Sequence, residues 1–270
     1  RGSFFYLASR SIQGLDAMSL CLEEVHYSID RKSLLRDVNI RCEAGALSAI
    51  VGPNGAGKST ALKLMSGDLA PTSGSTLLNR ADVSSYSARE LAVRRAVMPQ
   101  QTSPAFGLKV WEMVQLGRAP FAENLVLSSE YVEKSLRIVD ALHLAGRELM
   151  TLSGGEKQRI LLAKALAQVS VEDASVSEDK YLLLDEPTAS LDLKQAQTVM
   201  RILRAAADSG IGVVLVIHDI ASVRRYGDTV FLLKDGGVAY AGEPKIVLTA
   251  ERIADSFDVD LETAEGSISV

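Results

Sequence analysis

Cysteine is nearly missing from this chain: 270 residues carry only Cys21 and Cys42. A protein of this size needs no disulfide, and no secretory signal is read in it, so a reducing cytosol is the expected setting. Long apolar runs are missing too. The longest is the seven residues from Ile211 to Ile217, against the roughly 20 that span a bilayer, so no membrane crossing is expected. A basic excess is also absent: 29 Lys and Arg stand against 34 Asp and Glu, giving a net charge of −5 and a pI near 5.4. That argues against sequence-independent nucleic-acid binding, which draws on counterion release from a clustered basic surface. Internal repeats and sustained heptads are lacking as well. What remains is 47% hydrophobic and 23% charged, enough for a large core in one or two domains.

Residues 1–17 lack periodicity and are expected to be a tag or disordered leader. Residues 18–250 read as one domain and 251–270 as a tail with a short helix. From Leu20 to Ile40, alternating stretches predict antiparallel strands. LSAIVG (Leu47 to Gly52), YLLLDEP and GVVLVIHD are continuous apolar runs, the mark of strands buried on both faces. KSTALKLMSG predicts a helix with Gly67 as its stop. Residues of about 101–165 have helical spacing with no strand between them and predict a helical insertion. VSVEDASVSEDK (Val169 to Lys180) reads as an acidic surface loop, and Asp235-Gly236-Gly237 as a hairpin turn. Strands alternating with helices predict an α/β fold with a mostly parallel sheet, whose ligands sit at the strands' carboxyl ends.

Those ends carry the chemistry. Gly52-Pro53-Asn54-Gly55-Ala56-Gly57-Lys58-Ser59-Thr60 fits G-x-x-x-x-G-K-[ST] between a strand and a helix. Its glycines let successive N–H groups face a phosphate, Lys58 would reach the β- and γ-phosphates, and Ser59 would ligate Mg²⁺. Asp185 suits the Mg²⁺ sphere, and Glu186 the general base for an attacking water. His218 is read as a partner of the γ-phosphate or its water, with packing as the other reading. His26 and His143 are read as structural. Ser153 and Glu156 form the ends of a capping box at the start of a helix. Gly154 and Gly155, between them, cost up to about 1 kcal/mol each against alanine; bare backbone there suits close approach of an anion.

Taken in order, Gly52 to Thr60, Gln100, LSGGEKQR (Leu152 to Arg159), LLLDEP with SLD (Ser190 to Asp192), and His218 resemble the nucleotide-binding subunit of an ABC transporter. The resemblance covers about residues 20–250, and LSGGEKQR is more specific than the phosphate loop. It implies a P-loop NTPase (RecA-like) core with an antiparallel β subdomain and a helical insertion subdomain. It also implies ATP and Mg²⁺ as ligands, bound in a head-to-tail dimer. ATP at Lys58 of one copy would be capped by Ser153, Gly154 and Gly155 of the other, with Asp192 in the loop crossing the interface. Gln100 would contact Mg²⁺ and the attacking water, and its loop would help receive a cytoplasmic helix of a membrane subunit. Tyr27 is the candidate to stack on adenine, while a count back from DVNI puts that slot nearer Ile29 or Arg31.

The segment from Arg94 to Pro120 resembles ATPases of the iron-chelate, vitamin B12 and haem importers, and the acidic insertion resembles the haemin-import type. That implies integral-membrane permease subunits as partners, a periplasmic substrate-binding protein beyond them, and a place on the cytoplasmic face of the bacterial inner membrane. The alternatives are an importer of iron-siderophore or vitamin B12, or a soluble ATPase of iron–sulfur assembly. Ribosome-associated relatives carry two cassettes, and DNA-repair relatives are split by a long coiled coil; neither feature is present here.

Overall fold

A computed structural model describes residues 18–30, 32–100, 107–121, 124–170 and 179–268. In chain order the elements begin with β1 (Ser19–Ile29), β2 (Lys32–Glu43), β3 (Leu47–Val51), α1 (Lys58–Ser66), β4 (Ser73–Leu78) and β5 (Ala81–Asp82). Then come α2 (Ala88–Arg94), β6 (Arg95–Met98), α3 (Val110–Gln115), α4 (Leu125–Ile138) and α5 (Gly154–Gln168). The second half holds β7 (Tyr181–Asp185), α6 (Leu193–Asp208), β8 (Gly212–Val216), α7 (Ile220–Tyr226), β9 (Thr229–Lys234) and β10 (Gly237–Gly242). Three short helices close it: α8 (Pro244–Val247), α9 (Ala250–Phe257) and α10 (Leu261–Ile268).

Two sheets result. The larger runs β10-β9-β3-β8-β7-β6, parallel throughout except for its β10 edge. The smaller, β2-β1-β4-β5, is antiparallel. Every residue of β3, β7 and β8 is buried, because both faces of the parallel sheet are covered. The strand period of two divides the core accordingly. Leu47, Ala49, Leu182, Leu184, Val213 and Leu215 join α5 and α6 in one cluster. Ile50, Tyr181, Leu183, Val214 and Val216 join α1 and the antiparallel sheet in the other.

Among the described residues between β6 and β7 there is no strand, only helices and a single bridge between Lys109 and Glu148. The acidic stretch at 171–178 and residues 101–106 of the importer-like segment lie outside the described residues. The tail expected from 251 is instead built into the fold. Ala250, Ile253 and Ala264 are buried in the larger core cluster, with Phe257 and Ile268 packed against it, so the domain runs on through α10.

Candidate functional site

The order β3-β8-β7-β6 brings four carboxyl ends side by side. Ile50 pairs with Val216, and Val216 with Asp185, while Met98 pairs with Leu184. The segments leaving these strands carry Gly52 to Thr60, His218, Asp185-Glu186 and Gln100. The structure therefore gathers at one edge the residues that sequence spacing singled out.

The loop after β3 is shaped by its glycines. Gly57 has φ +97°, and a Cβ there would press on the Leu35 side chain and the Leu34 carbonyl. Gly55 has φ +81° but nothing within 4 Å of where its Cβ would stand, so that side of the loop is open. α1 starts at Gly57 with no side-chain cap, leaving the N–H groups of its first turn, with the helix dipole behind them, for an outside acceptor. Lys58 is 6% exposed. Its ammonium donates to the carbonyls of Gly52 (2.8 Å) and Pro53 (2.9 Å). Burial lowers its pKa, with the Glu186 and Asp185 charges opposing that shift. A buried ammonium, uncapped amides and an open loop face together fit a phosphate chain.

Ser59 Oγ donates to Asp185 Oδ1 at 3.2 Å. Asp185 is 6% exposed, and burial raises its pKa against the Ser59 hydrogen bond. A hydroxyl beside a carboxylate gives hard oxygen donors, which suit Mg²⁺. Among the described residues no cluster of three or more His, Cys, Asp or Glu is arranged for a metal. A cation here would therefore complete its shell with substrate oxygens and water.

Glu186 is held from every side. Its backbone sits at φ +51°, a left-handed state that is uncommon for glutamate and costs on the order of 1–3 kcal/mol. Its N–H donates to the Val216 carbonyl at 3.0 Å. On the carboxylate, Oε2 accepts from Gln100 Nε2 at 2.8 Å, and Oε1 lies 3.0 Å from His218 Nε2. His218 exposes 45% of its side chain, so it is not a packed core residue. Gln100, expected to contact Mg²⁺ and the attacking water, donates its amide nitrogen to Glu186. A carboxylate with two orienting partners beside a phosphate cradle can take a proton from water.

The mouth of α5 is a true capping box. Ser153 Oγ accepts from the Glu156 N–H at 3.3 Å and donates to Glu156 Oε2 at 2.8 Å, and that oxygen also accepts from the Ser153 N–H at 2.8 Å. These hydrogen bonds hold the Glu156 carboxyl below its usual range. The two glycines have different reasons. A Cβ on Gly155 would lie 3.1 Å from Gln195 Oε1 and 3.3 Å from Leu191 Cδ2, a tight fit against the first turn of α6 and the loop before it that favours a bare Cα. On Gly154 the nearest atom would be Ser190 Cβ at 3.7 Å, so contacts within the chain do not require it. Asp192 caps α6, its Oδ1 accepting from the Gln195 N–H at 2.7 Å.

Tyr27 pairs across the hairpin with Leu35, the residue under Gly57, and packs half-buried on that core. Ile29 is 48% exposed, and Arg31 lies outside the described residues. One polar residue was not foreseen. Gln158 is 7% exposed and donates from Nε2 to the Glu186 carbonyl at 3.0 Å. Its signal was a polar side chain in step with Leu161, Leu162 and Ala165 on the buried stripe of α5.

Comparison with known proteins bears on this geometry. A family model described as "ABC transporter" matches residues 35–189. The hemin import ATP-binding protein HmuV of Gloeobacter violaceus is 43% identical over 226 residues, 83% of this chain and 82% of that protein. The protein of the same name in Ruegeria sp. (strain TM1040) is 44% identical over 248 residues, 90% and 92% of the two chains. Among solved structures, cbiO1 of Clostridium perfringens, part of the ABC transporter complex cbiONQ, matches with a TM-score of 0.74. It is 29% identical and covers 89% of this chain and 94% of its own. A bacterial ABC transporter cassette solved as a dimer, MJ0796, matches with a TM-score of 0.72, 26% identity and 83% and 98% coverage.

Proposed function

The chain belongs to the ABC transporter family, and from that premise we propose that it is the ATP-hydrolysing subunit of a bacterial haem importer. It works as a head-to-tail pair on the cytoplasmic side of a separate permease. The observation that carries the enzymatic reading is the carboxylate of Glu186, aimed by Gln100 and His218 beside Lys58 and the Ser59–Asp185 pair. The cargo reading is supported by the two relatives of 43% and 44% identity, both named for hemin import.

The amides of Gly55 to Ser59 and the Lys58 ammonium bind the phosphates of ATP. Ser59 and Asp185 hold Mg²⁺, which when bound neutralises phosphate charge. Glu186 accepts a proton from water as that oxygen bonds the γ-phosphorus and the bond to the bridging oxygen breaks. Gln100 and His218 orient the carboxylate. Ser153 and Gly154 of the second copy close over the γ-phosphate, and Asp192 sits between the copies. Closure of the pair on two ATP molecules biases the permease between its two accesses. The permease meets a groove of the helical insertion lined by Leu108, Glu112, Gln115, Leu116, Phe121 and Leu125. Leu116 and Leu125 there are 49% and 75% exposed, an apolar patch suited to an amphipathic helix.

The test is uptake into vesicles that hold this chain with its permease. Haem should enter with ATP, and Glu186→Gln should stop uptake and slow hydrolysis by orders of magnitude while ATP stays bound. Normal hydrolysis by that variant rejects Glu186 as base; uptake of an iron-siderophore or vitamin B12 but not haem rejects the cargo.

A further inference from the structure

Gln158 is a buried amide to which no step above gives a role. It stands on the apolar face of α5, 7% exposed, and reaches across to the end of β7. Its Nε2 donates to the Glu186 carbonyl at 3.0 Å. The Glu186 peptide is thereby clamped from two elements: β8 holds its N–H through the Val216 carbonyl, and α5 holds its C=O, which also accepts from the Ala189 N–H of the following turn at 3.3 Å. Between these holds the residue keeps φ +51°, a conformation that surroundings must impose on glutamate. The backbone so fixed decides where the carboxylate points.

We infer that Gln158 is a positioning residue for hydrolysis, which holds the aim of Glu186 and ties it to the helix whose mouth meets the second copy. The inference rests on the head-to-tail reading above. Ser153 and Gln158 lie at opposite ends of less than two turns of one helix, about 7.5 Å apart along its axis. A helix turn is stiff at this length, so a shift of the mouth on engaging the partner's nucleotide is passed to Gln158. From there it reaches the carboxylate of this copy's own site. Occupation of the neighbouring site thereby sharpens the aim of this copy's carboxylate.

The test is Gln158→Met in the full chain, which keeps side-chain length and removes the donor. kcat for ATP should fall about tenfold or more, since small misplacement of a reacting group is costly. KM and nucleotide affinity should stay within about twofold. In a Glu186→Gln background the same substitution should leave ATP-driven dimer formation unchanged. A wild-type kcat overturns the inference, and so does a parallel loss of nucleotide binding and dimer formation, which marks a merely structural residue. Glu186→Gln alone separates the two levels. If it hydrolyses normally the general-base reading fails; if it is inactive while Gln158→Met is normal, only the positioning role fails. Should the methionine variant not fold, Gln158→Glu, of similar volume but facing the carbonyl with an acceptor, takes its place, and a normal kcat again overturns the inference.

Discussion

Asp185 sits at the buried end of β7 with the Ser59 hydroxyl on its Oδ1, and burial raises its pKa. A raised carboxyl pKa means that the folded chain holds this proton more tightly than the unfolded chain. Its contribution to stability is full below the unfolded value and is lost as pH rises through the folded one. At neutral pH without nucleotide, the charged carboxylate therefore works against folding. Asp185→Asn should melt above the wild-type protein at pH 7 by calorimetry, and the gap should close as pH falls below the carboxylate range. The same variant should hydrolyse ATP orders of magnitude more slowly. A lower melting point at pH 7 would mean that the charge is structurally required. Residues such as Lys58, Ser59 and Asp185 were legible because phosphate chemistry ties residue type to spacing. Gln158 and the left-handed backbone of Glu186 were not. A polar side chain on a helix is ordinarily read as surface, and its burial depends on a strand 28 residues away in sequence.

At the scale of elements, the mouth of α5 separates two kinds of glycine. Neither Gly154 nor Gly155 has a positive φ, so neither is demanded by the backbone, and alanine would favour the helix by up to about 1 kcal/mol. Gly154→Ala has room in the chain, with Ser190 Cβ 3.7 Å away; it should fold at least as stably as wild type. If a second copy's phosphate lies against that backbone, the methyl blocks it and turnover should fall sharply. Full turnover in Gly154→Ala would remove the argument for close approach. Gly155→Ala should gain less stability than Gly154→Ala, since its methyl meets the ends of Gln195 and Leu191 at 3.1 and 3.3 Å and these must give way. The buried strands were readable as apolar runs ended by glycine or carboxylates, because a sheet covered on both faces has no polar side to show. Of α9 and α10, the tail's sequence showed only one short helix and nothing of its packing. Eight residues each give barely two turns, too few to establish a helical period, and only packing on the core reveals their place.

At the scale of the molecule, the phosphate cradle and the α5 mouth are two halves that one chain holds apart in role. Ser153 is occupied by its own Glu156, and Lys58 by its own loop carbonyls, so each half is prepared but neither is completed from within. A head-to-tail pair would complete both at once, and this can be tested without any permease. Lys58→Ala removes the cradle's charge and spares the mouth; Ser153→Arg blocks the mouth and spares the cradle. Each variant alone should be inactive. Mixed in equal amounts, half of the pairs unite one copy of each. In such a pair one site joins the two damaged halves, while the other joins the intact cradle of one copy to the intact mouth of its partner. ATP hydrolysis should therefore return, to at most about a quarter of the wild-type level, by the statistics of random pairing of two symmetric copies and with the coupling between sites lowering it further. If each chain instead built its whole site alone, every chain in the mixture would carry a damaged site and no activity would return. Recovery on mixing, lost again when the intact cradle also carries Glu186→Gln, would place the mouth of one copy over the nucleotide of the other.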